Sequence, residues 1–166
     1  MKIKDIVIIG MMGAVLFVIQ MALGFLPNIE LVSLIIILST LIFGWRTLYI
    51  IYVFVLLEGI RYGFGLWFIN YLYIWTILFI ITMLFQKNRS SYFWAVISGF
   101  YGLSFGALCT IPYFFIGGVP MALASWTSGI YFDIIHGVAN YIVTLVLFKP
   151  LHKLLEMLNR IRSNST

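Results

Sequence analysis

Asp133, His136 and Asn140 lie at i, i+3 and i+7 within Gly129-Ile130-Tyr131-Phe132-Asp133-Ile134-Ile135-His136-Gly137-Val138-Ala139-Asn140. On a helix that spacing puts an acid, an imidazole and an amide on a single stripe. Upstream, Glu58 and Arg61 are separated by i, i+3 and are close enough to pair. Trp67, Asn70, Tyr71 and Ile74 share one helical face, with Tyr73 beside it, and Glu30 follows the turn signal Leu26-Pro27-Asn28. An acid and an imidazole one turn apart form part of a nucleophile-activating set, but no nucleophile can be assigned to them. The sequence lacks a paired-histidine zinc motif, a serine elbow, a phosphate-cradling glycine loop and any His/Cys cluster at metal spacing. The chemistry these residues suit is therefore recognition by hydrogen bonding and stacking, with no catalytic group, metal or cofactor expected.

The elements that must position them are membrane spans. Of 166 residues, 63% are hydrophobic and 9% charged, with a mean hydropathy of +1.11. Soluble chains carry about a quarter charged residues, so a solvent-facing shell cannot be assembled here, whereas a lipid-facing one can. At about 20 apolar residues per crossing, the length predicts a compact all-α bundle of six transmembrane helices with no soluble domain. The spans are expected over about 5–25, 29–44, 47–64, 67–85, 92–115 and 126–148, with a loop from Gly117 to Ser125 and a cytoplasmic amphipathic tail over 149–166. The net charge of +5 is topological rather than a nucleic-acid footprint. With the N-terminus inside, Lys2, Lys4, Arg46, Lys87, Arg89, Lys149, Lys153, Arg160 and Arg162 are all cytoplasmic, and Arg61 alone lies outside. Lys2 and Lys4 before an apolar run imitate a signal peptide, but no cleavage site follows, so the run is read as the first retained span. Cys109 has no partner cysteine and is read as packing.

On this layout Glu30, Glu58 and Asp133 fall in the outer leaflet. Ionisable groups inside spans normally face a partner or a wet cavity, and their common height points to one outward-facing pocket. Structural roles compete at each position: interfacial belts for the aromatics, a pair for Glu58 with Arg61, and interhelical hydrogen bonding for the 133/136/140 stripe. In the first span Gly10, Gly13 and Ala14 form a small-residue face suited to close helix approach, either within this chain or by a partner subunit. Three acids against one Arg favour a cationic or neutral nitrogenous ligand, and the aromatics favour a flat ring.

Taken together, the six spans, the Leu26-Pro27-Asn28-Ile29-Glu30 loop and the last span from Gly129 to Asn140 resemble the substrate-specific components of energy-coupling factor transporters, over essentially the whole chain. The resemblance implies a multi-pass subunit of a bacterial cell membrane that captures a water-soluble vitamin or related compound at the outer face. Thiamine or its pyrimidine precursor, or a pyridine-type vitamin, would fit. It also implies delivery with a transmembrane coupling subunit and two cytoplasmic ATPases. The family's contact motif on span one falls on Gly10 and Ala14, with glycine in place of the first alanine. Its pocket region maps onto Glu30, Trp67, Asn70, Tyr73, Trp126, Asp133, His136 and Asn140. The competing readings are a structural membrane protein resembling the MreD cell-shape scaffold and a membrane-embedded enzyme.

Overall fold

The computed structural model describes residues 3–164. Lys2 and residues 165–166 of the expected tail lie outside the described residues, as does the side chain of Arg162. Six α-helices and no strands form among the described residues: α1 (Ile3–Leu23), α2 (Val32–Phe43), α3 (Arg46–Tyr62), α4 (Leu66–Leu84), α5 (Ser91–Cys109) and α6 (Ile111–Asn164). Helices α1, α4, α5 and α6 are long and apolar enough to cross a bilayer.

Helix α2 is short and almost wholly buried, from Val32 through Thr40 and again at Phe43. At 1.5 Å per residue its 12 residues cover roughly 18 Å. A helix that is apolar all round belongs at a centre, and α2 packs against each of the other five. Its polar Ser33, Ser39 and Thr40 are buried with it, and Thr40 returns its hydroxyl to the Ile36 carbonyl at 2.7 Å, so helical backbone absorbs part of the polarity. Helix α1 lies against α3. The two begin at the same end, where Arg46 grips Asp5 through Nε at 3.2 Å and Nη2 at 3.4 Å.

The turns follow their sequence signals. Gly44 and Gly63 end α2 and α3 with φ of 58° and 87°, a left-handed region that favours glycine. Ser90 caps α5 by accepting from the Phe93 amide, while Asn88 accepts from the Ser90 amide at 2.8 Å.

Two boundaries differ from the sequence expectation. The fifth span ends at Cys109 instead of continuing to 115, and the 117–125 loop reduces to a kink at Gly117 and Gly118 inside α6. Gly117 (φ −133°) and Gly118 (φ 69°) absorb the turn together. Pro120 then sits in the first turn of the next arm, where a missing N–H costs nothing, and Met-Ala-Leu-Ala continues as good helix formers. The helix also runs through Pro150. Beyond it, His152 stacks on Phe148 at 5.5 Å, and Leu151 and Leu155 pack on the core. The arm after the kink is roughly 70 Å long, more than twice the hydrocarbon thickness of about 30 Å.

Candidate binding site

Helix α6 reaches the bundle interior because α5 lets it in. Gly99, Gly102 and Gly106 line the α5 face that meets it. A Cβ on Gly102 would lie 2.9 Å from Gly137 Cα and from the His136 carbonyl, and one on Gly106 would collide with the Asp133 carboxyl. The close approach turns the stripe inward: Asp133, His136 and Asn140 are 8%, 5% and 1% exposed.

Each stripe residue finds a different neighbour. Asp133 Oδ1 accepts the Gly106 amide at 2.9 Å, while its Oδ2 is buried without a partner. His136 Nε2 lies 3.3 Å from Glu30 Oε1. Asn140 donates to Ser33 Oγ at 3.3 Å, in the first turn of α2. Glu30 is the pivot between loop and helix, because its second oxygen accepts the Ser33 amide at 2.8 Å. A carboxylate there satisfies an orphan N–H and complements the positive end of the helix.

Under this corner lies a cavity of about 200 Å³. The α1–α2 loop roofs it with Leu26, Pro27, Asn28 and Ile29, where Asn28 takes φ of 61°, a conformation asparagine tolerates. Gln20, Leu23 and Gly24 at the end of α1 form one side, and Tyr71, Trp75, Phe105 and His136 form the aromatic floor and wall. The rings support one another edge to face: Tyr71 on Trp75 at 5.5 Å and Phe105 on His136 at 4.9 Å. Trp75 is 2% exposed, and its Nε1 has no hydrogen-bond partner.

Of the residues singled out in the sequence, Glu30, Tyr71 and His136 line this cavity. Asn70 and Tyr73 lie behind it, where the Tyr73 hydroxyl donates to the Leu108 carbonyl at 2.7 Å and contacts Asn70 Oδ1 at 3.0 Å. Trp67 packs on Tyr71 at 5.4 Å and so buttresses the wall. Trp126 is 40% exposed and does not line the cavity, because the arm after the kink carries it away from the core. The expected Glu58–Arg61 pair does not form: Glu58 is buried with Oε1 unpartnered, and exposed Arg61 lies over the Tyr62 ring at 5.1 Å. Arg61 closes the last turn of α3, where its long side chain points away from the bundle. Neither residue lines the cavity.

Trp75, Phe105 and Gln20 were not singled out in the sequence. Trp75 stands at i+4 from Tyr71, which was a usable signal. Phe105 and Gln20 look like any other residue of an apolar span. On α1, Gly13 packs inward, since a Cβ there would meet Val53 of α3, whereas Gly10 has open space around it and Ala14 is exposed. Cys109 is half-buried and free. No known protein family, characterised protein or solved structure matches the chain.

Proposed function

We propose that this chain is the substrate-binding membrane subunit of an energy-coupling factor type importer in a bacterial cell membrane. On this reading the helices make six crossings with both termini cytoplasmic, and the Glu30 corner faces outward. The observation that carries the proposal is the loop-roofed aromatic cavity, whose roof is fastened to α6 by Glu30 and His136. Cavities of this kind, mostly apolar with a few convergent polar groups, bind small molecules, and on this reading a compound enters beneath the loop. Substrate entry displaces the loop, and the Glu30–His136 contact re-forms over the occupied site.

Delivery inward requires energy from partner subunits, namely a membrane coupling protein and two ATPases. Support for a docking face comes from α1, where Gly10 and Ala14 leave room for another helix to approach at backbone distance. Gly13 is excluded from that face by Val53. Capture and release need no covalent chemistry, and the isolated chain is expected to show no turnover and no ATP hydrolysis.

The test is a pull-down of the tagged chain from its own membranes in mild detergent. A coupling protein and ATPases should co-purify with the wild type and be lost with Gly10→Trp. Recovery of the chain without any ATPase, or with cell-shape proteins instead, would overturn the importer reading.

A further inference from the structure

We propose that the seam between α5 and α6 is a binding site for one anionic phospholipid of the cytoplasmic leaflet. The proposal goes beyond the importer reading and needs only that α5 and α6 cross a bilayer with the start of α5 inside. An apolar groove of about 270 Å³ opens between Gly99, Phe100 and Leu103 on α5 and Gly137, Val138 and Tyr141 on α6. The glycines make its floor, where the helices come so close that a Cβ on Gly137 would lie 3.0 Å from the Gly99 carbonyl oxygen. Phe100, Leu103 and Val138 stand exposed as its rims. Left empty in a bilayer, the lining would forfeit dispersion contacts. A flexible acyl chain laid lengthwise restores them.

The end of the groove nearest the α4–α5 turn selects the lipid. Tyr92 and Tyr141 meet there edge to face at 6.5 Å, and tyrosines gather at the level of lipid headgroups. Past them Arg89 Nη1 lies 3.3 Å from His152 Nε2, joining the α4–α5 turn to α6. Among the described residues no carboxylate comes within ion-pairing distance of Arg89. Asp5 is held by Arg46, and Glu156 leans on the other nitrogen of the His152 ring at 3.7 Å. Exposed Lys149, one turn before His152, adds a second cation. A guanidinium without a carboxylate presents a fork of donors that fits a phosphate, and basic pockets between spans on the cytoplasmic side hold anionic headgroups. The lengths agree. Gly137 and His152 stand four turns apart on α6, roughly 22 Å. One leaflet with its headgroups is about 20–22 Å deep, half of a whole bilayer. A chain seated at Gly137 therefore puts its phosphate at the level of Arg89. A free anion would leave the groove empty and a neutral lipid would leave Arg89 unpaired, whereas an anionic lipid engages both.

The test uses the purified full chain in mild detergent. Thermal unfolding is followed as phosphatidylglycerol, phosphatidylcholine with the same acyl chains, or inorganic phosphate is added. Phosphatidylglycerol should raise the midpoint well above the other two. Arg89→Gln should weaken its apparent affinity roughly fivefold, the share of one basic residue at a membrane surface, with helicity by circular dichroism unchanged. Arg160→Gln, roughly 12 Å beyond His152 on the same helix, should leave that affinity within about twofold, since salt screens a charge at that distance. An equal response to both lipids, a response to phosphate alone, or equal losses in the two variants overturns the proposal. In a second arm, phosphatidylglycerol with a diazirine in one acyl chain is photolysed with the wild type and the labelled peptides are mapped. Label should concentrate on residues 96–103 and 137–141. Label spread evenly over the lipid-facing helices, or kept off the seam by a second copy or another helix, overturns it as well. Either failure leaves the importer reading, which rests on co-purification, standing.

Discussion

At the scale of single residues, the Glu30–His136 contact carries the greatest consequence. It is the hydrogen bond that ties the α1–α2 loop to α6, and both partners are buried. Removing one partner strands the other, which for buried pairs costs about 3–5 kcal/mol. Glu30→Ala and His136→Ala should each destabilise by that order, and the double variant by clearly less than the sum. A double-mutant cycle in detergent unfolding checks this, and additivity within about 0.5 kcal/mol would show that the two do not interact. Asn140 and Asp133 lead to a different expectation. Neither lines the cavity, and each is engaged by protein. Asn140→Ala should therefore lower stability by about 1–3 kcal/mol, since it leaves buried Ser33 without its donor. Affinity for a compound bound in the cavity should stay within about threefold, as titration of the folded variant would show.

Helices set the next scale, and glycine separates two kinds of helix surface. Gly102 meets backbone, at 2.9 Å for a built Cβ, and backbone cannot step aside. Gly102→Ala should cost about 1–3 kcal/mol and push α6 outward, loosening the stripe that ends at Asn140. Gly10 has nothing within 4 Å. Gly10→Ala should leave stability unchanged or raise it by about 0.5–1 kcal/mol, the helix-propensity gain. Thermal denaturation of the two variants side by side makes the comparison, and a destabilised Gly10→Ala would mean that its face is already packed. Uptake adds the functional half of the contrast: Gly10→Trp should abolish transport while the chain still folds and still binds.

For the whole molecule, the bases decide how the bundle sits. Lys87 and Arg89 mark the α4–α5 turn, Lys149, Lys153 and Arg160 mark the far part of α6, and Asp5–Arg46 joins the start of α1 to the start of α3. Positive residues favour the cytoplasmic side, so a cysteine at position 88 should resist membrane-impermeant maleimide in intact cells and react after permeabilisation. Cys109 is replaced by Ala for this experiment. Labelling of position 88 from outside would reverse or break the six-crossing arrangement.

The amino-acid sequence alone determined the helical class, the lipid-compatible composition and the inward stripe, because each depends on local periodicity. Asp133, His136 and Asn140 repeat at helical spacing in an apolar run, and burial in lipid leaves such a set few places to face. Tertiary structure decided which of these groups share a cavity. Glu58 and Arg61 satisfy the spacing for a pair, yet spacing does not fix where the side chains point, and the last turn of α3 sends Arg61 outward over Tyr62. Glu30 and His136 are 106 residues apart, so no periodicity links them; the loop, the glycine-lined face of α5 and the central α2 bring them together. The same holds for Gly117-Gly118-Val119-Pro120, which has the composition of a loop. Its glycines can either end a helix or bend one, and in the folded chain they bend it. Trp75 and Phe105 became cavity walls by the crossing of α4 and α5 beneath the loop, a relation between helices that a pattern along one helix does not contain.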